Sequence, residues 1–139
     1  MNPPARELRR LPPDVRRFLE VPRLASVATI NPDGSPHQAV VWYLVEDDAI
    51  VINSAEGRRW PTNLRRDPRV GISVADDVHW VGLRGSVEVI DDREQAQADI
   101  AAMAYRYDGP EAARDVIEGQ FRRELRVSFR LRPTSIHVE

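Results

Sequence analysis

Close to its C-terminal end the chain alternates between apolar and polar residues. Leu125, Val127, Phe129 and Leu131 are separated by Arg126, Ser128, Arg130 and Arg132. Period-two alternation sends the two sets to opposite faces of a strand. The stretch therefore predicts a half-buried strand that Pro133 ends, with Ile136-His137-Val138 resuming the pairing. The longer run Val78–Ile90 repeats the pattern, with Val81, Leu83, Gly85, Val87 and Val89 on one side and Trp80, Gly82, Arg84 and Glu88 on the other. Glycines inside it point to a bend or bulge. Val70, Ile72 and Val74 share one face of another strand, and Ala49–Ile52 is a short apolar run. Arg23–Ile30 and Ser35–Val45 read as a pair of strands joined by Asn31-Pro32-Asp33-Gly34, a strong turn signal.

Helical spacing appears in two places. Asp14–Glu20 follows Pro12-Pro13 and turns Val15, Phe18 and Leu19 inward. Farther on, Ala96, Ile100, Met103, Ala104 and Tyr107 form one stripe, opened by a capping box over Asp91–Glu94. Asp108-Gly109-Pro110 breaks that helix, and a shorter one runs from Glu111 to Glu118. Between two strands lies Ser54-Ala55-Glu56-Gly57-Arg58-Arg59-Trp60-Pro61-Thr62-Asn63-Leu64-Arg65-Arg66-Asp67-Pro68. Gly57 permits a turn, Pro61 suits the first position of a helix, and Pro68 limits that helix to about two turns. Six strands with helices gathered in two connections do not alternate as βαβ units. The expectation is a mainly β (α+β) fold: a small antiparallel barrel over residues 14–139, preceded by a flexible arm over residues 1–13.

Composition narrows the chemistry. The chain has 139 residues, 42% of them apolar and 30% charged, ordinary values for one globular domain. A net charge of −2 argues against nucleic acid as a partner. There is no cysteine, hence no disulfide, thiolate metal site or thiol nucleophile. All 20 basic residues are arginine, which excludes Schiff-base chemistry and a P-loop lysine. No segment reaches 18 apolar residues and the first residues carry no apolar leader, so a cytoplasmic protein without a membrane partner is expected.

His37, His79 and His137 lie far apart without metal-ligand spacing, so no metal is expected. Asp76-Asp77 and Asp91-Asp92 sit at turns, where capping accounts for them. The basic stretch is locally unbalanced, since five arginines from Arg58 to Arg69 face only Asp67. A helix N-terminus beside planar guanidinium forks can hold a phosphate; a solvated connector is the plainer alternative. Trp60, inside that stretch, and Trp80, opposite the apolar set of its strand, are candidates to face a planar ring. A polarised surface without a nucleophile of its own suits a cofactor that carries the chemistry.

Leu24-Ala25-Ser26-Val27-Ala28-Thr29-Ile30-Asn31-Pro32-Asp33-Gly34-Ser35-Pro36-His37 resembles the opening hairpin of the pyridoxamine 5′-phosphate oxidase-like split-barrel superfamily. The Ser54–Val70 stretch, with its Asn-Leu-Arg-Arg-Asp-Pro run, is similar to the superfamily's phosphate-carrying segment. Within it the chain looks most like the actinobacterial branch of coenzyme F420 (deazaflavin)-dependent oxidoreductases, over about Leu19 to Val138. The resemblance implies a six-stranded antiparallel Greek-key split β-barrel with flanking helices, a homodimer, and a cofactor groove at the dimer interface. By the same resemblance Arg58, Arg59 and Asn63 hold the phosphate, with Trp60 and Leu64 beside them. The backbone of His37, Gln38, Ala39 and Val40 lines the ring, and Ile72, Ser73, Val74, Ala75 and Trp80 complete the groove. Many relatives have lysine where this chain has Trp60, a departure that removes one cationic partner. The activity implied is hydride transfer from reduced F420 to a small conjugated or tetrapyrrole-like substrate. Rival readings are an FMN-dependent oxidase or reductase of the pyridoxamine 5′-phosphate oxidase type and a non-catalytic flavin- or deazaflavin-binding module. No catalytic residue is assigned; Tyr43 and His37 are candidates only in that they can donate protons from the second strand. Spare arginines at Arg65, Arg66 and Arg69 favour the long acidic tail of F420 over FMN.

Overall fold

The computed structural model describes residues 10–139, so the arm expected over residues 1–13 falls largely outside the described residues. Its described end is anchored. Leu11 is buried, and its N–H donates to Asp48 Oδ1 at 2.9 Å. The elements that follow are α1 (Pro13–Glu20), β1 (Ala25–Ile30), β2 (Pro36–Val41), β3 (Leu44–Glu46), β4 (Ala49–Ala55), α2 (Arg59–Arg66), β5 (Arg69–Ala75), β6 (Trp80–Ile90), α3 (Arg93–Asp108), α4 (Pro110–Gly119), β7 (Arg126–Leu131) and β8 (Ser135–Val138). A single turn of tighter helix, Phe121–Arg123, joins α4 to β7.

All strand pairs are antiparallel, in the order β2-β1-β5-β6-β7-β4-β3, with β8 added to β6. The sheet curls into a split barrel with helices at its flank. Its eight strands exceed the six expected, for two local reasons. Ser135–Val138 pairs with the first half of β6 while β7 pairs with the second half, Val87–Ile90. The chain crosses between these two pairings at Gly85, where a Cβ would lie 3.0 Å from Leu131 Cδ1 and 3.3 Å from the Thr134 nitrogen. The anticipated strand Ser35–Val45 is also divided, β2 pairing with β1 and β3 with β4. Trp42 and Tyr43 interrupt it. Trp42 stacks on Tyr107 with ring centres 5.2 Å apart. The Tyr43 side chain is fully buried and its hydroxyl donates to the Leu19 carbonyl at 2.8 Å. The Tyr43 N–H, taken out of the ladder, donates to the Tyr107 hydroxyl at 3.3 Å; buried backbone donors need such a substitute.

Two apolar clusters result. Val27, Ile52, Ile72, Leu83, Phe129 and Leu131 belong to the one that fills the barrel. The other joins Val51 of β4 to Ile100, Met103, Ala104, Ala113, Ile117 and Phe121 beneath α3 and α4. The consequence for β7 is specific. Its alternation holds, but the polar face meets α3 instead of water, so Arg126 and Ser128 are buried. Helix ends are closed by side chains: Asp92 accepts from the Glu94 and Gln95 N–H groups, as an N-cap should. Arg106 donates to the Leu19 and Glu20 carbonyls at the end of α1.

Candidate functional site: the seam of the barrel

The basic stretch folds much as its glycine and prolines require, with one shift. Gly57 takes φ +89°, α2 opens at Arg59, two residues before Pro61, and Arg58 is its N-cap. Trp60 thereby turns inward. It is 6% exposed and packs on Phe129, ring centres 5.6 Å apart. Arg58 and Arg59 diverge into separate clefts. Arg59 lines a shallow one with Pro32, Gly57, Thr62, Asn63 and Arg66. Asn63 is buried there, its amide donating to Thr29 Oγ1 at 3.0 Å and Asn31 Oδ1 at 3.1 Å while its oxygen accepts from Arg66. Both of its N–H donors are committed to pinning α2 to the end of β1.

The three arginines expected to be spare are engaged. Arg65 bridges Glu56 at 3.0 Å and Asp91 at 2.6 Å, and these carboxylates raise its pKa above the usual guanidinium value. Arg69 pairs with Asp67 at 2.8 Å and holds that carboxyl down at about 2. Arg66 donates to the Ile30 carbonyl and to Asn63. The expected lean toward a long acidic tail at these positions is not met, because intramolecular acceptors already occupy Arg65 and Arg69.

Arg58 is different. Among the described residues its side chain makes no hydrogen bond or ion pair. It stands at a cleft of about 230 Å³ lined by Val40, Val41, Trp42, Asn53, Ser54, Trp60, Met103, Gln120 and Arg126, among others. The position follows from topology: β2 pairs only with β1, and β4 beyond Val51 pairs only with β7. The barrel is therefore open between the ends of β2 and β4. Half of the β2 backbone groups face that open edge, as in any edge strand, and Val40 is 68% exposed beside it. Deep in the cleft, Arg126 is 5% exposed. Its Nε donates to Asn53 Oδ1 and its Nη1 to Glu124 Oε1, each at 2.9 Å, and the guanidinium lies 4.8 Å over the Phe121 ring. Burial, and to a smaller degree the nearby Arg58 charge, lower its pKa while Glu124 opposes the shift. Sequence reading passed over Arg126 because alternation assigned it to a solvated face; a polar residue opposite an apolar helix stripe was the signal available.

A second concavity, about 410 Å³, occupies the outer face of the sheet next to the seam. Register builds its floor from small residues: Val40 sits beside Ser26, Ser26 beside Ser73, Ser73 beside Gly82 and Gly82 beside His137. Trp80 stacks on His137 at 4.9 Å to form one wall, and Gln38, Ala28, Gly71 and Arg84 complete the next row.

The expected site residues thus separate into groups. Val40, Arg58 and Trp60 meet at the seam cleft, Gln38, Ile72, Ser73 and Trp80 at the outer concavity, and Arg59 with Asn63 in the shallow cleft. Leu64, Ile72 and Val74 place their side chains in the core, leaving backbone as their share toward a ligand. His37 and Ala39 are half-buried on β2, and Ala75 is exposed beside Trp80. Tyr43 is not an available proton donor: its hydroxyl is sealed against Leu19, and burial pushes its pKa up to about 12. Asp76 caps the turn before β6 through the Val78 and His79 N–H groups, and no metal-binding cluster exists among the described residues. None of the described helices is long and apolar enough to cross a membrane.

The seam fits an anionic group attached to a planar one. It offers an unpaired guanidinium, a buried guanidinium with an uncommitted arm, a free strand edge, and an adjoining concavity walled by an indole. Comparisons with known proteins agree with this reading of the fold. The chain is 29% identical over 120 residues to an F420H(2)-dependent biliverdin reductase of Mycobacterium tuberculosis (strain CDC 1551 / Oshkosh), covering 84% of this chain and 88% of that one. Among solved structures, conserved hypothetical protein Rv2991 from Mycobacterium tuberculosis superposes with a TM-score of 0.79 at 25% identity, over 99% of this chain and 89% of that one. A protein named F420 Reductase superposes at 0.73 and 25% identity, over 91% and 98% respectively. The family described as pyridoxamine 5′-phosphate oxidase matches residues 11–138, and the chain belongs to that family of oxidoreductases.

Proposed function

We propose that this protein is a coenzyme F420-dependent reductase that delivers a hydride to a small conjugated or tetrapyrrole-like substrate. The observation that carries the reading is the seam cleft, where Arg58 stands without an intramolecular partner beside the free edge of β2. The F420H(2)-dependent biliverdin reductase relative and the F420 Reductase neighbour support the choice of coenzyme.

When bound, the coenzyme supplies the hydride. The protein's own groups orient and enclose the reactants, which is where such sites gain rate. Arg58 holds the acidic end at the seam. The backbone of His37–Val40, on a free strand edge, meets the polar rim of the ring. Trp80 offers its face to the ring or substrate, and His37 is the β2 side chain able to hold a proton. A second copy of the chain, laid on the small-residue face, excludes water from the groove and makes the working form a homodimer.

FMN is the second reading, favoured by one observation: Arg65 and Arg69 are consumed by Glu56, Asp91 and Asp67, leaving little positive charge for a polyanionic tail. Titration with F420 by fluorescence and with FMN in parallel separates the two. F420 is expected to bind more tightly, and Arg58→Ala to weaken it by at least about tenfold, the worth of one charge-assisted hydrogen bond. FMN retained through purification with F420 excluded would replace the first reading by the second.

A further inference from the structure

We infer that Arg126 is the second cation of the seam, and that Arg58 and Arg126 hold the cofactor's phosphate between them; the inference rests on the functional reading above. The argument begins with the donors. A guanidinium carries five N–H groups in a planar fork, and burying one is costly unless the fork is satisfied. Arg126 is buried, yet only two of its nitrogens are bound, Nε by Asn53 and Nη1 by Glu124. Nη2 has no hydrogen-bond partner among the described residues. It is also not sealed, because the one buried unpartnered side-chain nitrogen or oxygen among them is Nε of Arg106. Since Arg126 lines the cleft, that remaining arm opens onto it.

The fork is held in place by a relay of buried groups. The Asn53 amide donates to the Ala96 carbonyl and to Ser128 Oγ, both at 2.9 Å, which turns its oxygen toward Arg126. The Ser128 hydroxyl donates to Asp99 Oδ2 at 2.7 Å, and Asp99 Oδ1 accepts from Gln95 at 2.8 Å. Phe121 supports the guanidinium from below. An arginine fixed in this way loses little side-chain freedom when an anion arrives, whereas exposed Arg58 must be ordered.

Size identifies which part of the cofactor enters. A cleft of about 230 Å³ is below the range of pockets that enclose a whole drug-sized ligand, about 300–1,000 Å³. It takes the phosphate end and leaves the tricycle outside, along β2 and the concavity walled by Trp80. Trp60 contributes no charge to the cleft that it lines, so the cation opposite Arg58 is the one that β7 supplies.

The test compares FMN with riboflavin, its phosphate-free form, and F420 with its deazaflavin nucleoside, which lacks the phosphate and the acidic tail beyond it. Binding is followed by fluorescence in wild type, Arg126→Gln and Glu124→Gln. Arg126→Gln is expected to weaken FMN and F420 by about 30-fold, and the phosphate-free forms by less than about twofold. Glu124→Gln, which keeps an acceptor for Nη1 but removes the carboxylate charge that competes with an incoming anion, is expected to tighten the phosphorylated forms about threefold. This variant keeps the proposal testable should Arg126→Gln fail to fold, and unchanged or weaker binding there would overturn it. Equal losses with and without phosphate would also overturn it, since they mark a merely structural arginine. If wild type binds no coenzyme yet binds inorganic phosphate by calorimetry, and Arg126→Gln abolishes that heat, the arginine pair stands and the F420 reading fails. Absence of both kinds of binding overturns both.

Discussion

Trp60 meets Phe129 inside the barrel with ring centres 5.6 Å apart and planes tilted by 55°. The contact ties α2, which sits beside the seam, to the middle of β7. Truncating such an aromatic leaves a large cavity and costs about 3–5 kcal/mol. Trp60→Ala is therefore expected to lower the melting temperature by at least about 6 °C, taking about 2–8 °C per kcal/mol. A shift below a few degrees by calorimetry would show that Trp60 is a surface residue after all.

Tyr43 gives a prediction about pH. Burial pushes its pKa from an ordinary value near 10 up to about 12, so the folded state prefers the neutral phenol. The unfolded chain ionises first on the alkaline side. Stability from this group is thus complete below about pH 10 and is lost as pH rises toward 12, by roughly 2–3 kcal/mol at most. Tyr43→Phe is expected to cost about 1 kcal/mol at pH 7 through the lost bond to Leu19, and to flatten the fall in urea midpoint between pH 9.5 and about pH 11.5. An alkaline limb identical to that of wild type would contradict the assignment.

Gly85 tests the strand crossing. A Cβ there would lie 3.0 Å from Leu131, 3.3 Å from the Thr134 nitrogen and 3.4 Å from the Arg132 oxygen, two of them backbone atoms. Gly85→Ala is expected to destabilise by about 1–3 kcal/mol, read from urea unfolding, whereas Gly119→Ala meets nothing within 4 Å and should be neutral or better. Equal effects from the two would remove the crowding argument.

The small-residue face bears on assembly. Ser73 is exposed at its centre, flanked in register by Ser26 and Gly82. Ser73→Arg is expected to leave the circular dichroism and melting of the isolated fold nearly unchanged while converting the proposed homodimer to a monomer, read by light scattering. A mass that stays dimeric would place the interface on another face.

Much of the fold is legible in the sequence. Alternation located β5, β6 and β7, Asn31–Gly34 located the first hairpin, and the stripe from Ala96 to Tyr107 located α3. The interruption of β2–β3 was not, because nothing local to Trp42-Tyr43 breaks a strand; the partners that draw them out of register are Tyr107 and Leu19, distant in sequence. For the candidate site, the basic turn drew attention to Arg58, whereas Val40 entered only through the family resemblance. The engagement of Arg65 with Glu56 and Asp91, and the burial of Arg126, depend on which polar faces α3 and the neighbouring loops cover. One strand's pattern carries no information about that.

β6 runs 11 residues and serves both halves of the barrel, giving its first half to β5 and β8 and its second to β7. A shared rail of this kind leaves no weak joint along which one half could peel from the other. The amides of both sheets should therefore exchange with solvent as one cooperative unit, opening only with the whole molecule. The looseness that a ligand needs is then confined to the seam between β2 and β4, where the ladder is already incomplete.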